Sequence, residues 1–308
     1  SYDKYEVMSL KMLYKNSMNI IFFLGLFLIS VNIFNIIFPN DYRHDPYLIN
    51  GYFSQENKKI LNYLSEGERS KILEYKEAIK KFDKLYSMHG NSLKFLNEAT
   101  KVYFISKIPT EYSWNEKYTK IKFQENWIIY FFRKFEEIQN NFGKISKYNN
   151  AYIYYQPTDY KFALKRGISI CSQDAVSFAN LLKKRYNFDY NIVGLGGHVV
   201  MQAKIKNKYY LLDPNMGLTF NFSIDEYYNN NNNILNIKNA YTNIGRPDLI
   251  KSFDLKDNRK YEHTGPYARE NTYNPDSITF FSNYMKWIIP IFLIFISLIK
   301  KYKNRIVR

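Results

Sequence analysis

The chain has 308 residues, room for one sizeable domain plus membrane segments or for two small domains. A single cysteine excludes an intrachain disulfide and any cysteine-based metal site; the four histidines (His44, His89, His198, His263) lie far apart without ligand spacing, so we expect no metal and no other cofactor. The formal net charge of +16 would suit an anionic partner, but no dense Lys/Arg run occurs outside the C-terminal tail, so we read it as background composition and expect no nucleic acid.

In chain order, residues 1–17 form a polar tail with Lys4, Lys11 and Lys15. No charged residue occurs from Asn16 to Asn40, and Ile20–Phe38 is almost continuously Ile, Leu, Phe and Val. As a helix this stretch, residues 18–39, crosses a hydrocarbon core of about 30 Å. A cleaved signal peptide would have a shorter apolar region ending in a small-x-small site, and Ser30-Val31-Asn32-Ile33-Phe34-Asn35 offers none. A second apolar segment occupies residues 279–299, with Lys286 as its one charge and Pro290 placed to kink it. The alternative for it is a helix lying in the membrane interface. The tail 300–308 carries five cations and no acid. By the positive-inside rule both ends are cytoplasmic and residues 40–278 lie outside. These features predict a two-pass protein of the plasma membrane, with the lipid bilayer as its first partner.

Residues 40–149 read as a helical subdomain. Ser65-Glu66-Gly67-Glu68 has the form of a capping box, Ile72, Tyr75, Ile79, Phe82 and Tyr86 recur at helical spacing, and His89-Gly90-Asn91 is a stop. A second stripe is Ile128, Phe131, Phe135, Ile138 and Phe142. Both stripes are expected to pack in a core. Ala151–Pro157 reads as extended. Strands are expected over Asp189–Leu195, His198–Ile205 and Tyr209–Leu212, the last two joined antiparallel by Lys206-Asn207-Lys208. The asparagine run Asn229–Asn233 reads as a loop, and residues 229–278 as a connector back to the membrane.

The chemistry-bearing stretch is Gly167-Ile168-Ser169-Ile170-Cys171-Ser172-Gln173-Asp174-Ala175. It places the lone thiol at the start of a helix, whose partial positive charge favours a thiolate. His198 follows Gly196-Gly197 at the head of a strand, and Asp213 ends the next strand before Pro214. The hairpin between them brings His198 and Asp213 within a residue or two of being opposite. Nucleophile, base and orienting acid thus follow in order, which is the requirement of thiol acyl transfer. Taken singly, each of the three residue types is more often structural.

The joint pattern of Gly167, Cys171, Ala175, Leu181-Leu182, Val193-Gly194, His198 and Asp213-Pro214 resembles the transglutaminase-like superfamily of papain-type thiol enzymes, over residues 150–228. Departures are Gln173 with Asp174 where the family often has an acid at the first of these positions, Val200 for an aromatic, and Tyr209-Tyr210 near a tryptophan; they change the cleft walls and leave the triad. The resemblance implies an α+β fold in which a Cys-bearing helix packs on an antiparallel sheet, preceded by a helical subdomain and flanked by one membrane helix on each side. It implies a membrane-anchored bacterial thiol enzyme with Cys171, His198 and Asp213 as its triad. Ser172, Gln156, Tyr155 and Trp127 are candidates for the oxyanion or cleft wall. Its substrate would be a protein, peptide or glycan-linked group in the cell envelope, with water or an amine as acceptor. The alternatives are a non-catalytic module that binds a membrane protein partner, for example in surface-polymer assembly, and a lipid- or glycan-binding protein driven by its basic charge.

Overall fold

A computed structural model describes residues 2–46, 48–49, 72–108, 118, 120–141, 152, 155, 157–253, 259–261 and 275–306. In chain order its elements are α1 (Tyr2–Ile37), α2 (Tyr75–His89), α3 (Leu93–Ile105), α4 (Trp127–Asn141), α5 (Tyr160–Arg166), α6 (Cys171–Tyr186), β1 (Asp189–Gly194), β2 (Val199–Ile205), β3 (Lys208–Asp213), β4 (Leu218–Phe220), α7 (Ile224–Tyr228), α8 (Asn231–Asn243), α9 (Ile250–Phe253), β5 (Arg259–Tyr261) and α10 (Pro275–Ile306). The fold is α+β, with helices around one antiparallel sheet of order β4-β3-β2-β1-β5. Two compact units divide the chain. One comprises residues 1–39, 121–153 and 277–308, the other residues 40–120 and 154–276. Residues 121–149, expected in the helical subdomain, thus cluster with the terminal helices, and 229–276 cluster with the sheet.

In the terminal-helix unit, Asn16–Ile37 of α1 and Ser277–Lys303 of α10 are each long and apolar enough to cross a membrane. Helix α1 begins at Tyr2, so the expected N-terminal tail continues the span as helix, and α10 runs through Pro290 without interruption. The two helices pack antiparallel: Asn32 Nδ2 donates to Lys286 O (2.6 Å), and Ser297 Oγ donates to Met18 O (2.6 Å). Gly25 is the close-approach point, since a Cβ there would lie 2.7 Å from Ile294 Cγ1. Small and hydroxyl-bearing residues at the contact are what helices in hydrocarbon use to approach and to satisfy polar groups.

In the sheet unit, α2 starts later than the Ser65–Glu68 motif, which lies outside the described residues. Glu74 and Glu77 form its capping box, and Gly90 closes it as expected. Phe82 of its stripe is fully buried and Tyr75, Ile79 and Tyr86 pack beside it. The expected strands appear, with β2 starting one residue after His198 and β3 one residue before Tyr209. Both faces of the sheet are covered. Ile192, Met201 and Leu212 join α2, α3 and α6 on one face, while Val193, Val200 and Leu211 join the elements after β3 on the other. Phe104 and Ile105 of α3 and Ile168 reach the second face as well, while α6 provides the main contact on the first, packing on β1 and β2.

Three expectations are overturned. Asn229–Asn233 is not a loop: Asn230 caps α8 by accepting from Asn232 N, and the helix runs from Asn231 because Ile237 and Tyr241 bury completely. The described part of the segment after Ala240 is not a loose connector, since α9 and β5 follow and Phe253 is fully buried, while residues 254–258 and 262–274 lie outside the described residues. The stripe on α4 is core only at its start: Ile128 is buried beside Leu28 and Trp127, whereas Phe131, Phe135 and Ile138 are all more than half exposed, and Phe142 lies outside the described residues. Periodicity identifies a shared face but not what that face meets. Within Ala151–Pro157, the described residues take part in no strand.

The approach to Cys171 is held by a buried arginine. Arg43 pairs with Asp41 (2.6 Å) and donates to Leu73 O (2.9 Å), Leu164 O (3.0 Å) and Lys165 O (3.0 Å). It thereby ties down the C-terminal carbonyls of α5. Gly167 caps α5 in the left-handed region (φ 68°), and a Cβ there would lie 2.5 Å from Arg43 Cγ. Gly167→Ala therefore meets backbone strain and overpacking together and is expected to cost about 2–4 kcal/mol, read as a lowered denaturation midpoint. An unchanged midpoint would mean that Arg43 yields freely.

Candidate active site

Cys171 is the first residue of α6, after Ile170 at the N-cap in extended conformation. The helix starts there because Gly167 turns the chain and Ile168 pairs in parallel with Ile108, which aligns Ser169-Ile170 before the first turn. Ser172, Gln173 and Asp174 are buried, whereas Cys171 keeps partial exposure. A thiol open to solvent above a buried first turn can meet a substrate.

The β2–β3 register pairs Met201 with Leu212, so one step further brings Asp213 opposite Val200, two residues along from His198. His198 and Asp213 are both buried, and Nε2 of the ring lies 2.7 Å from Asp213 Oδ2. The same oxygen accepts from Tyr241 Oη (2.6 Å), and Oδ1 accepts from the backbone N–H groups of Asn215 (3.0 Å) and Met216 (3.2 Å). This explains the Asp-Pro ending: Pro214 has no N–H, so the carboxylate reaches past it to the next two donors in an Asx-type turn.

The electrostatics are those of a charged pair. Burial alone would push the His198 imidazole down, but the Asp213 carboxylate and the Cys171 sulfur outweigh it and raise it to about 10. Burial alone would likewise raise Asp213, yet His198, Tyr241 and the Asn215 amide hold it below the usual carboxylate range. The ring therefore carries the proton and donates from Nε2 to Asp213, and the Cys171 sulfur lies near enough to help hold that proton. The structure thus brings Cys171, His198 and Asp213 together.

Of the other expected residues, Ser172 and Tyr155 are buried in the sheet unit. Trp127 belongs to the terminal-helix unit, where it packs with Leu28 and Ile128. Gln156 lies outside the described residues. Gln173 is buried with no partner for Nε2 among the described residues, a donor left over two positions beyond the thiol.

Sequence reasoning missed four supporting groups. Lys107 is buried and pairs with Asp174. Asp174 also accepts from Ser169 Oγ and from Asn215 Nδ2 (2.7 Å), which links the Asp213 turn to the first turn of α6. Burial lowers the Lys107 ammonium, opposed by Asp174 first and then by Asp213 and Cys171. Its ammonium also sits 4.2 Å from the Tyr103 ring centroid. Tyr241 comes from α8, in a segment read as connector. A signal existed for it in the spacing of Ile234, Ile237 and Tyr241, and for Lys107 in its place as the one charge within Val102–Ile108.

A partly exposed thiol at a helix N-terminus, a protonated ring beside it and a fully bonded carboxylate behind the ring can form, hold and release an acyl thioester. No family model, curated protein or solved structure matches this chain.

Proposed function

We propose that this protein is a membrane-anchored thiol enzyme with a transglutaminase-like core, acting by acyl transfer on the outer face of the membrane. The observation that carries the proposal is the His198–Asp213 pair, buried and 2.7 Å apart, with the ring coupled to the sole cysteine at the head of α6. Support for the membrane setting comes from the two apolar terminal helices, and the basic tail orients both ends inward.

The Cys171 sulfur attacks an amide carbonyl carbon, and a C–S bond forms. His198 passes its proton to the leaving nitrogen as the C–N bond breaks, releasing an amine and leaving a thioester. Water or a second amine then attacks the thioester, giving its proton to His198 as the C–S bond breaks. Asp213 keeps Nε2–H oriented throughout, so Nδ1 is the nitrogen that exchanges protons. The first-turn N–H groups of α6 point toward the oxyanion. A protein, peptide or glycan-linked amide of the cell envelope fits this chemistry.

Because Cys171 is the only thiol, iodoacetamide labelling of the folded full chain reports on it alone. The expected rate at neutral pH is at least about tenfold that of an ordinary thiol, and His198→Ala abolishes the excess. If Cys171 alkylates only after unfolding, the enzyme reading fails.

A further inference from the structure

We propose that residues 121–141 form a third membrane-embedded element, with the Phe131–Phe135–Ile138 face of α4 in contact with lipid acyl chains. This rests on reading the terminal helices as membrane spans, and three observations within their unit carry it.

The first is that, past a first turn that buries Trp127, Ile128 and Ile129, α4 is inside out for a helix in water, with Lys134 exposed at the edge of its apolar face and paired with Glu137. Arg133 and Glu136 are buried, while Phe131 (53%), Phe135 (58%) and Ile138 (53%) are exposed. At 100° per residue the three apolar side chains fall within one narrow arc, with Arg133 and Glu136 away from it. Water-soluble helices bury the apolar side. Helices in hydrocarbon turn ionisable groups inward, where they can be paired, and leave apolar ones outside. Glu136 accepts from Tyr152 N (2.9 Å), and Arg133 Nε lies 3.5 Å from Glu137 as an ion pair, with no hydrogen bond to Nε or Nη1 among the described residues.

The second is depth. Phe123, just before α4, stacks on Phe27 with centroids 6.3 Å apart and planes at 24°. Phe27 sits near the middle of the Asn16–Ile37 segment, about 15 Å from either end at 1.5 Å rise per residue. Phe123, ahead of α4, is therefore seated at the level of the middle of that segment.

The third is continuity. Trp127 and Ile128 pack with Leu28 of α1, and Met285 and Leu293 of α10 pack against the same cluster. Asn126 Nδ2 donates to Ser282 Oγ (3.0 Å), so the polar group at the entry is satisfied by α10. Phe23 and Phe27 on α1 and Phe280 and Phe281 on α10 are also exposed, so α4 adds to an apolar surface that the two spans already present.

The test uses the full chain in nanodiscs of phosphatidylcholine and phosphatidylglycerol, with single cysteines introduced on a Cys171→Ser background and spin-labelled. Phe135→Cys and Ile138→Cys are compared with Phe27→Cys as the reference for the spans and Lys84→Cys as the reference for water. Collision with oxygen, which concentrates in lipid, is set against collision with a water-soluble nickel chelate. The expected result is that positions 135 and 138 match position 27, favouring oxygen severalfold. If they match position 84 while position 27 stays lipid-like, the third element is refuted and the spans stand. If both reagents are excluded at 135 and 138, protein covers the face and the lipid contact is refuted. If position 27 itself is water-like, the reading of the spans fails and takes this inference with it.

Discussion

Asp213→Ala lowers the stability of the sheet unit by about 3–5 kcal/mol, the cost typical of removing one partner from a buried ionic pair. Four donors converge on this carboxylate: His198 Nε2, Tyr241 Oη and the amides of Asn215 and Met216. Alanine strands them all in a dry interior. Urea titration of the full chain, followed by proteolysis of the unfolded fraction, measures the loss. Asp213→Asn separates folding from chemistry, because it keeps the shape and an acceptor oxygen but removes the charge that raises His198. Its stability cost is smaller, while alkylation of Cys171 at neutral pH falls roughly tenfold or more, since each pKa unit lost by the ring shifts the proton equilibrium tenfold. Equal labelling of Asp213→Asn and the parent would remove Asp213 from the mechanism.

The same pair sets a window of pH. His198 rises on folding from 6.5 to about 10, so its stabilisation is complete below about 6.5 and is lost as pH rises through about 10. Asp213 is lowered from 3.8, so its contribution is present above that value and is lost as pH falls below it. Denaturation midpoints are therefore highest between about 4 and 6.5, and Asp213→Asn flattens the alkaline limb.

The second large effect is at Lys107. Lys107→Met leaves the Asp174 carboxylate buried at 1% side-chain exposure without its cation, and a loss of about 3–5 kcal/mol is expected. Asp174→Asn strands the ammonium instead. The double variant Lys107→Met with Asp174→Asn removes both charges and keeps one acceptor oxygen, for Asn215 Nδ2, while the new amide N–H can donate to Ser169 Oγ. It should lose less than the sum of the single losses, with a coupling of about 1–3 kcal/mol, even though the asparagine has one acceptor oxygen where Asp174 has two. Strict additivity in that cycle would mean that the two side chains do not act as a pair. Because Asn215 bridges Asp174 to the Asp213 turn, the single variants should also slow Cys171 labelling, a readout that a merely structural pair would not move.

Much of the site was legible from local pattern. Gly167 ahead of Cys171 marks a turn into a helix, alternation marks β2 and β3, and the short polar turn at Lys206-Asn207 fixes which residues of that hairpin are opposed. These features depend on neighbours in sequence, so composition and spacing carry them. Asn231–Asn233 went the other way. Asparagine favours loops and caps by the same side-chain hydrogen bond, and the run proved to be a cap and first turn because Ile237 and Tyr241 had a core to fill.

By itself the sequence determined the two terminal helices long and apolar enough to cross a membrane, since length and apolar composition are local properties of each stretch. It also determined the order of thiol, imidazole and carboxylate on a helix start and a hairpin. The tertiary structure alone decided that Lys107 and Tyr241, distant in sequence from the hairpin, reach Asp174 and Asp213, and that the Phe131 stripe of α4 faces outward while Arg133 faces in. The physical reason is common to all three. Periodicity states which side chains share a face, whereas the medium and the partners that the face meets are set by contacts between segments far apart in the chain.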